Sequence, residues 1–302
     1  IVLDPLTWER QATLGYQLFL MHRYDEAWEV FQGMGLDQLS SEFGQTQLTI
    51  AMLRHRHASD FDAFLDGYRA DIESLSVDAS RRQRALIPLW WLAYTSRDYE
   101  KAMSLIAEME PYPGWEHIPL ENPARLSMPT LLAMGDDLRL QAVVAEAQSR
   151  FELIAEANPD VVARPEFIQD LAMLAAFGGD QAEAVALLKR WEAVSKEDWT
   201  QRISFREMVC GIYGMMAMPA EAVACLRMGF KEPSLAVPWM TPYSPEYDAV
   251  RESPEFRALI AEIEAEYFSQ AEGQAGSSVP VMPATGQKHV ASKKYWKHNP
   301  DL

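Results

Sequence analysis

Apolar and polar positions along the chain follow a helical rather than a strand period. From residue 14 the order is Leu14, Gly15, then Tyr24, Asp25, Glu26, Ala27 and, one turn later, Phe31. This spacing predicts two antiparallel helices joined by a tight turn at His22-Arg23. The small Gly15 lets the second helix approach closely. Tyr24 plugs the space between the helices, Ala27 sits where they come nearest, and Phe31 fills the gap to the next unit. Asp4-Pro5 ahead of them reads as a cap and first-turn pair, the carboxylate accepting orphan N–H groups and the proline losing none.

The unit recurs downstream. Tyr99-Glu100-Lys101-Ala102 with Ile106 repeats the aromatic-to-alanine step. Leu171-Ala172, the turn Gly178-Gly179-Asp180, and then Gln181 to Ala184 with Leu188 repeat it again. Val209-Cys210, followed by Pro219 to Ala222 and Leu226, makes a further copy. Two degenerate units turn near Ser59-Asp60, with Phe61 and Phe64, and near Gly135-Asp136, with Ala142. Ala27 and Ala222 lie 195 residues apart over five steps. Each step is thus about 39 residues, so helices or loops are longer than in a 34-residue repeat. Ala, Leu, Met and Glu dominate, and few segments read as strands, so the expected fold is all-α.

On these residues the first 36 positions resemble the tetratricopeptide repeat (TPR) family. That resemblance implies a TPR-like α-solenoid of about six helical hairpins over residues 1–268, each burying its apolar face on its neighbours. A second resemblance lies at Pro242 to Ile260, which is similar to the closing segment of bacterial regulatory TPR proteins. Here a strip with proline, Asp248 and Arg251 leads into Ser253-Pro254-Glu255-Phe256. It predicts a capping helix with Phe256, Leu259, Ile260 and Ile263 inward and Arg257, Glu262 and Glu264 outward. Asn122-Pro123, Ser244-Pro245 and Ser253-Pro254 each read as a capping side chain before a proline. Relatives with this ending commonly carry an upstream effector, such as a nucleotide cyclase, a winged-helix domain or a kinase. Ile1 to Pro5 reads as the end of a preceding repeat, so the chain is expected to be the C-terminal part of something longer.

Charge narrows the partners. The net charge is −17, and leaving out the segment after Ser269 gives 23 basic against 42 acidic residues. Such a field repels phosphate backbones, so nucleic-acid binding through this segment is not expected. A protein or peptide partner with a basic surface is the natural complement. Residues 269–302 form a Pro/Gly/Ser-rich basic tail, read as flexible and disordered, in which Lys293, Lys294, Tyr295, Trp296 and Lys297 place aromatics among positive charges. No membrane span is expected: Pro219 divides the most apolar stretch, 208–230, into pieces too short to cross a bilayer. Cys210 and Cys225 read as small packing residues on facing helices without a disulfide, and the expected location is cytoplasmic, with the periplasm as the alternative.

Catalytic patterns are missing from the sequence. It contains no Gly-rich phosphate loop, no paired-His helix and no nucleophile elbow. His55 and His57 point about 200° apart on a helix and do not share a metal. No catalytic residue, metal ligand or cofactor is therefore named, and the segment is not expected to be an enzyme. In the TPR family the first helix of each hairpin lines a concave, partner-binding face. The resemblance places Tyr16, Phe19, Arg56, His57, Arg84, Trp91 and Tyr94 on it, aromatics and arginines of the kind that make interface hot spots. The expected function is a protein-interaction scaffold or sensory module of a bacterial signalling protein. The alternative is the ligand-sensing regulatory half of a nucleotide cyclase or winged-helix regulator.

Overall fold

The structure is a computed structural model, and it describes residues 7–31, 66–70, 72, 79–109, 122–196, 208–238 and 241–265. Among these residues all regular structure is helical, so the all-α expectation holds. The chain divides into two compact units, the first ending at Tyr112 and the second beginning at Pro113. In the first unit α1 (Thr7–Leu20) pairs with α2 (Tyr24–Phe31), and α3 (Ala79–Thr95) pairs with α4 (Tyr99–Ala107). In the second, α5 (Asn122–Met134) pairs with α6 (Asp137–Ala157), and α7 (Pro165–Phe177) pairs with α8 (Gln181–Ser195). Helix α9 (208–215) then leads to α10 (Pro219–Lys231), and α11 (Pro254–Ile263) closes the described chain.

The five hairpin turns share one backbone geometry. His22, Arg97, Gly135, Gly179 and Ala217 each take a positive φ between 56° and 86°. The next residue's N–H returns to a carbonyl five residues back, as in Arg23 to Leu18, Asp98 to Ala93 and Asp180 to Ala175, at 2.8–3.1 Å across the five turns. This bond closes the Schellman motif, which satisfies carbonyls left open at the end of the first helix. Three turns add a side-chain cap: Asp98, Asp136 and Asp180 accept the N–H of Lys101, Arg139 and Glu183. A common turn gives a common register, and the fourth residue after each cap position is Ala27, Ala102, Leu140, Ala184 or Ala222. All five are fully buried. The fourth hairpin corrects the sequence reading. Leu140 occupies the close-approach site, and Ala142 is exposed.

In the first hairpin a Cβ on Gly15 would lie 2.6 Å from Cζ of Phe31. The Phe31 ring therefore rests on the bare glycine backbone. Tyr24 meets Phe19 edge-on at 5.2 Å, and Tyr94 and Tyr99 repeat the contact at 6.1 Å. The last four turns lie 38, 44 and 38 residues apart, more than the 34 of a tetratricopeptide unit, and the 21-residue α6 falls within the widest interval. The expected second hairpin near Asp60, the Asp4-Pro5 pair and the 269–302 tail lie outside the described residues.

The closing segment matches its sequence reading in most respects. Phe256, Leu259 and Ile263 are buried, Arg257, Glu262 and Glu264 are exposed, and Ser253 caps the helix through the Phe256 N–H. Ile260 is half-buried. Arg251 ties the strip together, donating to Asp248 at 2.7 Å and to the carbonyls of Ser244 and Pro242. Ser244 makes no side-chain cap, and its hydroxyl donates to Glu246.

The cysteines depart from expectation. They face each other as predicted but are joined by a disulfide. In the shared register Cys210 stands where Gly15 stands in the first hairpin and Cys225 stands where Val30 does. The pair has a Cα separation of 5.3 Å, within the span a disulfide needs.

Candidate functional site

The common register decides which residues of the first helices can face a partner. Tyr16 and Trp91 hold the same position, one residue past the Gly15 site, and both are half-buried. An aromatic left partly exposed at equivalent points of two hairpins provides apolar area with little entropy to lose on binding. Trp91 sits on a firm backbone, its carbonyl accepting the Thr95 hydroxyl at 2.9 Å. Its neighbour Trp90 is buried and stacks on Tyr94 at 5.0 Å.

Two other predicted wall residues are corrected. Phe19 and Tyr94, three residues beyond Tyr16 and Trp91, are only 2 % and 1 % exposed. They lie against Tyr24 and Tyr99 at the mouths of their turns and work as packing residues. Arg56 and His57 lie outside the described residues, as does the side chain of Arg84. Sequence reasoning also missed an exposed surface. Leu14 is 52 % exposed, and Met21, two turns further on the same side of the helix, is also exposed. Two of the residues equivalent to Leu14 in later hairpins, Leu89 and Val209, are buried, and Leu171 is half-buried.

A second feature, in the second unit, is a row of polar side chains between successive first helices. Arg125 on α5 donates from one terminal nitrogen to both carboxylate oxygens of Asp170 on α7, at 2.7 Å each. Gln169 on α7 in turn reaches the Met208 sulfur on α9. Arg125 and Gln169 are equivalent in the register, as are Asp170 and Met208, so the same contact is made at two successive steps. Asp170 is 1 % exposed, and burial raises its carboxyl above the usual aspartate range, with Arg125 pulling it back and Glu166 adding to the rise. Arg125 Nε and Gln169 Oε1 are buried without a hydrogen-bond partner. The signal was visible in the sequence as a Gln-Asp pair inside the otherwise apolar run from Phe167 to Phe177.

Among the described residues no three His, Cys, Asp or Glu side chains gather to hold a metal ion, and no helix is long and apolar enough to cross a membrane. Tyr213 on α9 has its hydroxyl pushed up to about 12 by burial, with Glu192 and Glu221 adding to the effect. A phenol held in its neutral form is no base at physiological pH. Family models give no match to the chain, and neither do curated proteins.

Proposed function

We propose that this chain is a partner-binding TPR-like α-solenoid, acting as a scaffold or sensory module of a larger bacterial regulatory protein. In this reading the partner lies against the first helices of the first unit. The observation that carries this reading is the equivalence of Tyr16 and Trp91, two aromatics kept partly exposed at one register position of two hairpins. The exposed Leu14 and Met21 lie on a different side of α1 from Tyr16 and are not part of this surface. A body with so large an acidic excess favours a partner that brings basic side chains to the rim of that surface.

The test uses a photo-crosslinking amino acid at position 91 in the full chain, expressed in its own cells, to capture and identify the partner. Affinity of the purified partner is then measured for wild type and Trp91→Ala. Truncating a hot-spot aromatic costs about 2 kcal/mol, which is about thirtyfold in Kd. The helical circular dichroism should stay unchanged, because Trp91 is not a core residue. Unchanged affinity with an intact fold would remove Trp91 from the interface and refute the reading.

A further inference from the structure

The last hairpin, α9–α10, lacks the side-chain cap that fixes three of the others. Its turn residue is Ala217, which holds a φ of +56° without glycine's freedom. Its cap position is Met218, whose side chain makes no cap hydrogen bond, where three other hairpins use aspartate. Yet this hairpin carries the heaviest duty, because the closing segment docks on both of its helices. On α9, a Cβ at Gly214 would meet the Glu246 carbonyl oxygen and Tyr247 Cδ1 at 2.7 Å, and a Cβ at Gly211 would touch the Glu246 side chain. On α10, Arg227 Nε donates to Glu262 of α11 at 3.1 Å. A segment held at two points on two helices needs those helices at a fixed separation, and the disulfide supplies it.

We propose that the Cys210–Cys225 disulfide is a clamp, installed in an oxidising compartment, that makes the α9–α10 hairpin a rigid seat for the closing segment. The oxidant is the disulfide of a thiol–disulfide oxidoreductase. One cysteine thiolate of this chain attacks that disulfide, forming a mixed disulfide and releasing one oxidoreductase thiolate. The second cysteine thiolate then attacks its partner's sulfur and releases the other. One S–S bond breaks and one forms, two electrons pass to the oxidoreductase, and the two protons lost here end on its thiols. Disulfides persist where thiols are not kept reduced, so the periplasmic rather than the cytoplasmic location follows. Both sulfurs are buried in the finished fold, which shields the bond from reductants.

The full chain is isolated from its own cells with an alkylating reagent present at lysis, and its intact mass is measured. The expected protein carries no alkyl group and is two hydrogens lighter than after reduction. Reduction, and separately Cys210→Ala with Cys225→Ala, should then speed amide exchange over 245–250 and proteolysis between 232 and 253 by about tenfold. Helices of the first unit should exchange as before. Alkylation of both cysteines in the native isolate would overturn the proposal. So would a disulfide whose reduction leaves exchange in the closing segment unchanged. Reduced wild type decides the matter if the double variant does not fold.

Discussion

Replacing Arg125 by methionine should destabilise the second unit by about 3–4 kcal/mol at about pH 7. The residue it abandons, Asp170, is almost wholly buried, and its two oxygens share a single guanidinium nitrogen. Removing one partner of a buried ion pair costs about 3–5 kcal/mol, because the other charge stays desolvated. Protonation sets a ceiling on that cost. A carboxyl with an ordinary value of 3.8 takes up a proton at about pH 7 for about 4 kcal/mol, at 1.36 kcal/mol per pK unit. The sign of the pH dependence follows. An acid whose folded value lies above its unfolded value loses stability as pH rises through that window, and Arg125→Met widens the window upward. The deficit of the variant should therefore shrink between about pH 7 and about pH 5. Urea unfolding followed by far-UV circular dichroism, with amide exchange on α7 as the local readout, measures both. The double variant Arg125→Met/Asp170→Leu should return to within about 1 kcal/mol of wild type. A single-variant cost below about 1 kcal/mol, or a deficit that does not shrink on acidification, would refute the reasoning.

The 15-residue separation of Cys210 and Cys225 sets the thermodynamic effect of reduction at about 3 kcal/mol, readable as a fall of several degrees in the melting of the second unit; an unchanged Tm would count against it. Gly214→Ala drives a methyl into the Glu246 backbone and should cost about 1–3 kcal/mol, with amide protection lost first in the closing segment. Ala217→Gly relieves a left-handed residue at φ +56° and should stabilise the last hairpin by up to about 1 kcal/mol, measured by the same unfolding curves. Burial lowers the pKa of His22, whose Nε2 has no hydrogen-bond partner, so the unfolded chain binds the proton more readily. Stability of the first hairpin should then fall as pH drops through 6.5 towards the lowered folded value. His22→Asn, which tolerates the positive φ, should abolish that dependence in amide exchange of α1 and α2.

The fold was legible where one residue type answers one geometric demand. Gly15 under the Phe31 ring and alanine at the closest approach are size requirements that leave a trace in any single repeat. In the α5–α6 hairpin the site is held by Leu140, so the alanine signal is absent there, and the nearby Ala142 is exposed. The backbone motif at the turns was harder to see. Its positive-φ residue is glycine in two cases but His22, Arg97 and Ala217 in the others. The hydrogen bonds that define it belong to the main chain and leave no side-chain signature.

The candidate surface was legible only to within one helical turn, and the reason is geometric. Tyr16 and Phe19 lie three residues apart on α1, about 60° around the helix. That is close enough for both to be assigned to one face and far enough for one to enter the turn and the other to stay at the edge. The aromatics of the second helix mark the difference: Tyr24 closes over Phe19 and Tyr99 over Tyr94, whereas Tyr16 and Trp91 stay half-buried. The disulfide failed to register for a related reason. Two cysteines in a long chain carry no framework signal, and a reading that puts them on facing helices does not fix their Cα separation, which is 5.3 Å. Cysteine meets the same demand for a small residue that glycine meets in the first hairpin, and it adds a covalent bond at a hairpin whose turn has no side-chain cap.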